Sequence, residues 1–252
     1  MFYPKDLPHR RELEFASRTF DSIEINGSFY SLQRASSWQR WHDQVPEGFV
    51  FAVKCPRFIS HIKRLRDIEA PLANFFASGV LLLGDKLGPL LWQFPPNLRF
   101  DAATWRAFLR MLPKTAAQAA KFAQRHDHRM PAVSLPPHVG RQKLRYAVEM
   151  RHESFHDPKF FQLLRKHNVA MVVADTAGKH PDFTEVTADF TYVRLHGGEV
   201  LYTSGYSDAS LRSWKRRIAR WSQGERDVYV YFDNDAKVHA PFDAQRLRGL
   251  VR

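Results

Sequence analysis

Cysteine is nearly absent. Cys55 is the only one among 252 residues, which excludes an intrachain disulfide and a cysteine-rich zinc site and fits a reducing, cytosolic setting. No apolar run approaches the roughly 18 residues that span a bilayer. The opening MFYPKDLPHRRELEF has no apolar core of a secretory signal, so no membrane partner is expected. Glycine is sparse, at 12 residues, and no glycine-rich phosphate loop follows the first apolar run, against a doubly wound dinucleotide fold. Internal repeats and low-complexity tracts are missing as well.

Acidic residues are also in short supply, 26 against 38 Lys and Arg, for a net charge of +12. The excess is uneven. Residues 99–145 carry ten Lys and Arg, Arg141 among them, against Asp101 and Asp127, and residues 210–226 carry six against Glu225. Such runs serve as solvated helix faces or as a surface that meets phosphates, on nucleic acid or on a metabolite. No RNP-like aromatic motif, GxxG clamp or paired Cys/His finger accompanies them.

What is present is regular alternation. Short β-branched or aromatic runs predict strands over 22–27, 49–55, 87–94, 146–150, 170–175, 191–196 and 228–234. Apolar residues recurring at helical spacing, as in Trp105, Phe108, Leu109 and Leu112, predict helices over 10–20, 37–44, 68–83, 102–112, 115–125, 158–167 and 208–222. The proline-rich stretch 125–142 reads as a loop. Alternating strands and helices mean parallel strands joined by crossovers, and seven of them predict a single domain, an α/β (β/α)-barrel of TIM type.

In such a barrel alternate side chains point inward, and ligands meet the carboxyl ends of the strands. Period two places Glu24 and Asn26 on one face of the first strand, and Lys54 with Ala52 on the second. Gln93 falls in phase with Leu91, Glu149 with Arg151, Arg194 with His196, and Tyr231 with Asp233; Asp175 and Asn234 end their strands. Seven strands thus bring charged or amide groups to one end, more than a barrel rim needs, because burying them without function costs several kcal/mol of desolvation.

Near-balanced charges point to recognition of a small anionic or sugar-like ligand. Arg151 and Arg194 would clamp a phosphate or carboxylate, Lys54 would neutralise charge, and Glu24 or Glu149 would transfer protons. A divalent metal held by Glu149, Asp175, His196 and Asp233 is the weaker arrangement, because Lys54, Arg151 and Arg194 crowd the same end and repel it. No cofactor is expected. Two further readings are a nucleic-acid binder joining the basic helices to the barrel mouth and a non-catalytic ligand sensor.

The stretches FDSIEINGSFYSL, FVFAVKCPRFISHIKRL, PLANFF, LGPLLWQFPP, YAVEMRHESF, ADT, YVRLHG and YVYFDNDAKVHAPFDA, in this order, resemble the YecE-like proteins, the family of domain of unknown function 72. The resemblance implies a TIM-barrel-like fold with a polar site at its mouth and no agreed activity. It carries the family's recurrent polar positions onto Glu24, Asn26, Tyr30, Lys54, His61, Gln93, Glu149, Arg151, Asp175, Arg194, His196, Tyr206 and Asn234. Members begin with a strand resembling G-T-S-G-W-x-Y, which this sequence lacks before Phe2. The barrel is therefore expected to be short of its first strand, with the strands at 22–27 and 228–234 bordering the gap.

Overall fold

Seven parallel strands pair in the order in which they occur along the chain. In this computed structural model, which describes residues 1–130, 132–138, 140 and 142–251, they are β1 (Ser22–Ile25), β2 (Val50–Lys54), β3 (Leu87–Gln93), β4 (Tyr146–Glu149), β5 (Val169–Asp175), β6 (Phe190–Leu195) and β7 (Asp227–Phe232). Around them run α1 (Glu12–Thr19), α2 (Gly27–Tyr30), α3 (Ala35–Gln44), α4 (Glu69–Ala77), α5 (Ala102–Met111), α6 (Ala116–Ala123), α7 (Pro158–His167), α8 (Asp208–Trp221) and α9 (Ala240–Val251). Among the described residues only the β5–β6 connection carries no helix. The result is a nearly closed barrel wrapped by helices, as the alternation predicts. Arg141 of the basic run lies outside the described residues.

Helix starts follow their caps. Asp101 accepts from Thr104 N at 2.8 Å to begin α5, Thr115 from Gln118 N at 3.2 Å to begin α6, and Asp157 from Lys159 N at 2.7 Å to begin α7, with Pro158 in its first turn. The helix expected over 68–83 is split. Gly79 at φ 103° ends α4, and a 3-10 turn, Val80–Lys86, follows. A side chain there would be strained by this φ, and its Cβ would crowd Ala35 Cα at 3.1 Å. Helix α9 has no counterpart in the predicted elements.

The core has two shells. Outside the sheet, Trp92, Phe75, Trp105, Phe108 and Phe160 interlock with helices α4, α5 and α7. Inside the barrel lie Ala52, Leu91, Ala147, Ala170, Val172, Ala174, Phe190, Tyr192 and Tyr231. Alanines on β2, β4 and β5 leave room for the rings of β6 and β7, so the interior is filled rather than open.

Strands β1 and β7 are the two edges, and no backbone ladder joins them. Side chains cross instead: Tyr231 Oη lies 2.6 Å from Ser22 Oγ. From α9, Arg248 bonds both carboxylate oxygens of Asp21, at 3.0 and 2.6 Å, and Thr19 O at 2.7 Å. The opening thus lies where the sequence places it, and the unpredicted α9 covers it.

Candidate functional site

One step beyond the inner shell, the same parity turns polar. Ala52 is followed by Lys54, Leu91 by Gln93, Ala147 by Glu149, Tyr192 by Arg194 and Tyr231 by Asp233. Parallel register pairs Gln93 with Glu149 but Lys54 with Leu91 and Arg194 with Tyr231, so these positions are staggered around the barrel as its strands shear.

Arg194 is the hub and is wholly buried. Its Nε and Nη2 grip Glu24 at 3.1 and 2.8 Å, Nη2 also reaches Asp233 Oδ2 at 2.9 Å, Nη1 meets Glu149 Oε2 at 2.7 Å, and Nη1 lies 3.4 Å from His196 Nε2. Four guanidinium donors are thereby spent on carboxylates, and the fifth faces the His196 ring. Burial opposes its charge, but Glu24, Glu149 and Asp233 outweigh burial and drive its pKa well above the usual value.

Each carboxylate is occupied in turn. Glu24 Oε2 also accepts from Tyr192 Oη at 2.6 Å. Glu149 Oε1 accepts from Gln93 Nε2 at 2.9 Å and from Arg151 Nε at 2.9 Å. His196 Nδ1 faces Asp233 Oδ2 at 3.0 Å. Burial alone would raise the Glu149 pKa, but Arg194, Arg151, His196 and Lys54 outweigh it and hold the group ionised well below the ordinary range. Asp233 is lowered too: burial is overcome by the adjacent His196 ring and by Arg194.

Lys54 stands apart. Only 9% exposed, it has no carboxylate oxygen within 4 Å of Nζ among the described residues. Its Nζ lies over the Phe29 ring, 4.2 Å from the centroid. Burial and then Arg194 lower its pKa, and the more distant carboxylates restore only part of the shift. His61 packs edge-on against the same ring at 5.1 Å, from a π-helical turn, Phe58–Ile62. Burial, Arg151, Arg57 and Lys54 push its pKa down to about 4, so the imidazole is neutral at pH 7. Ser28 ties α2, which carries Phe29, to the end of β2 by donating to Lys54 O at 2.7 Å.

The structure therefore brings Glu24, Lys54, His61, Gln93, Glu149, Arg151, Arg194, His196 and Asp233 together. Asn26, just after β1, has a buried Oδ1 without a hydrogen-bond partner among the described residues, and Tyr30 stands at the rim, 71% exposed. Three other expected residues serve the neighbouring loop. Asp175 follows the outward parity of Val173; its Oδ1 accepts from Ala177 N, and its charge adds to burial in raising the Tyr206 pKa. Tyr206 Oη accepts from Gly197 N at 3.1 Å, and Asn234 Nδ2 donates to Ser204 O and Asp243 Oδ2. These bonds strap the 197–207 loop to α9.

The metal arrangement of Glu149, Asp175, His196 and Asp233 does not form, because Asp175 faces away and Arg194 fills the space between Glu149 and Asp233. Among the described residues no group of three or more His, Cys, Asp or Glu is placed to hold a metal ion. Sequence reading passed over His180, half-buried and shifted down by burial and Arg151. It also passed over Asp243, whose only signal was its place in the family-like stretch ending PFDA.

The basic run is elsewhere. Lys114, Lys143 and Arg145 line a cavity of about 640 Å³ with Lys166 and His167, against the amino ends of the strands, opposite the Arg194 cluster. No helix among the described residues is long and apolar enough to cross a membrane.

Comparison with known proteins agrees with this architecture. The family model described as "Protein of unknown function DUF72" matches residues 1–252. The UPF0759 protein YunF of Bacillus subtilis (strain 168) is 25% identical over 279 residues, covering 99% of this chain and 89% of that protein. A crystal structure of a DUF72 family protein from Thermotoga maritima superposes with a TM-score of 0.75 at 23% identity, over 99% of this chain and 92% of that one. One from Enterococcus faecalis V583 does so at 0.75 and 18%, over 95% and 93%.

Proposed function

Because this chain belongs to the DUF72 family of proteins of unknown function, its activity has to be read from the site, and we propose that the carboxyl end of the barrel binds a small anionic ligand, phosphorylated or sugar-like, and acts on it by proton transfer. The observation that carries this is Lys54, a nearly buried cation without a carboxylate partner among the described residues, beside three carboxylates that Arg194 already engages. A buried ammonium is costly unless an anion neutralises it, and a bound phosphate or carboxylate supplies that anion.

The roles divide by geometry. Glu24 and Glu149 are the expected acid/base pair, but both oxygens of each accept hydrogen bonds from positively charged or neutral donors. Fixed in this way they hold Arg194 and Arg151 rather than donate protons. The groups free to move a proton are the neutral His61 imidazole and the Lys54 amine. Asn26, whose Oδ1 has no partner among the described residues, is placed to accept from a ligand hydroxyl.

Isothermal titration with inorganic phosphate, a sugar phosphate and the matching uncharged sugar tests this reading. The phosphorylated compounds should bind, with K54M weakening them at least tenfold, whereas the uncharged sugar should not compete. Equal binding of the uncharged sugar, or no effect of K54M, refutes it.

A further inference from the structure

We propose that Lys54 is a covalent catalytic residue whose amine condenses with an aldehyde or ketone on an anionic substrate to form a protonated imine. The proposal rests on the anion-binding reading above and names its substrate class, a carbonyl compound bearing a phosphate or carboxylate.

Three features of the geometry separate Lys54 from an ordinary buried lysine. Lys86, equally buried, donates to His42 O at 2.6 Å and Val45 O at 2.8 Å and is spent on structure. Lys54 Nζ makes no hydrogen bond or ion pair among the described residues, and its contact is the Phe29 face. It also ends a barrel strand on the inward parity, where reacting groups of this fold meet their ligands. Finally, Arg151, whose Nη1 makes no hydrogen bond among the described residues, stands nearby to meet an anionic substituent, and the spent Arg194 adds positive charge alone. Burial and the Arg194 charge favour the neutral amine, the form that attacks a carbonyl carbon.

The step balances without a further reagent. Nζ forms a bond to the carbonyl carbon and passes one of its protons to the carbonyl oxygen. The carbinolamine then takes a proton from solvent and loses that oxygen as water, leaving a protonated imine. The cation so formed replaces the ammonium charge that the surrounding carboxylates already face. The imine withdraws electrons from the adjacent carbon, and the neutral His61 at the same ring is the group to accept a proton from it.

The test is reductive trapping of the full chain with sodium cyanoborohydride and glyceraldehyde 3-phosphate, read by intact mass and peptide mapping, beside calorimetry with inorganic phosphate. One adduct per chain on Lys54 is expected, at least tenfold faster than with unphosphorylated glyceraldehyde and suppressed by phosphate. K54M and the conservative K54R should both lose it while melting cooperatively. Adducts scattered over surface lysines, or unchanged in a folded K54R, overturn the proposal. Phosphate binding without a Lys54 adduct overturns the covalent step and leaves anion binding standing; absence of both overturns both.

Discussion

Arg194 Nη1 lies 2.7 Å from Glu149 Oε2, and neither side chain reaches solvent. Their residues come from β6 and β4, with β5 between them, so the bond crosses the inside of the barrel rather than following the sheet. It explains how three carboxylates and two arginines are accommodated in one layer: each buried charge faces an opposite one, and the remaining lone pairs accept from Gln93 and Tyr192.

Breaking the hub should therefore be far costlier than its surface appearance suggests. R194M strands Glu24, Glu149 and Asp233 together and is expected to cost at least about 3–5 kcal/mol, the range for unpairing one buried ion pair. E149Q removes one of three acceptors and should cost less. R194K should not rescue the loss, because an ammonium cannot span the same three carboxylates. Urea denaturation measures the order: R194M no worse than E149Q would show that the cluster carries little folding energy.

Lys54 should show the opposite sign. Its charge is desolvated and unpaired among the described residues, so K54M is expected to stabilise the free protein by about 1 kcal/mol, which raises Tm by about 2–4 °C in a domain of this size. Calorimetric melting without ligand checks this. A lower Tm in K54M would mean that the ammonium has a stabilising partner.

His61 predicts a pH signature. Its folded pKa is lowered to about 4 from 6.5, so between those values the unfolded chain binds more protons. The stability it contributes is present above 6.5 and is lost as pH falls towards 4, with a slope of at most about 1.4 kcal/mol per pH unit. Partial exposure of the ring reduces the realised slope. Comparing wild type and H61F at pH 4.5 and 7 isolates the contribution, and an imidazole NMR titration near 6.5 would contradict it.

The seam between β1 and β7 offers a fourth measurement. Y231F removes the 2.6 Å bond to Ser22 and should cost about 1 kcal/mol. R248A removes the strap to Asp21 and Thr19 O. Both should speed hydrogen exchange in β1 more than in β3, which has ladders on both sides. Equal acceleration everywhere would show global destabilisation instead of local opening.

Strand and helix positions were legible in the residues because they depend on local periodicity, and so was the face on which Lys54, Gln93, Glu149, Arg194 and Asp233 lie. Period two fixes the side of a strand whatever its neighbours are. The outward turn of Asp175 shows the limit of that reasoning: it too ends a strand, but its parity matches Val173, and Tyr206, whose pKa it helps raise, is 31 positions on. Helix α9 was missed because its apolar face meets the β7 side of the barrel and the seam, which local pattern does not reveal.

By itself the sequence determined an α/β barrel and the set of polar groups delivered to its carboxyl end. Only the tertiary structure decided which of them pair. Glu24 and Glu149 lie on two strands and Asp233 just past a third, separated by up to 209 residues, and parallel register brings all three onto Arg194. The same closure keeps them more than 4 Å from Lys54 Nζ. Ion pairing depends on distances of a few ångströms across the barrel, and those are set by strand order and register rather than by any property of the neighbouring residues.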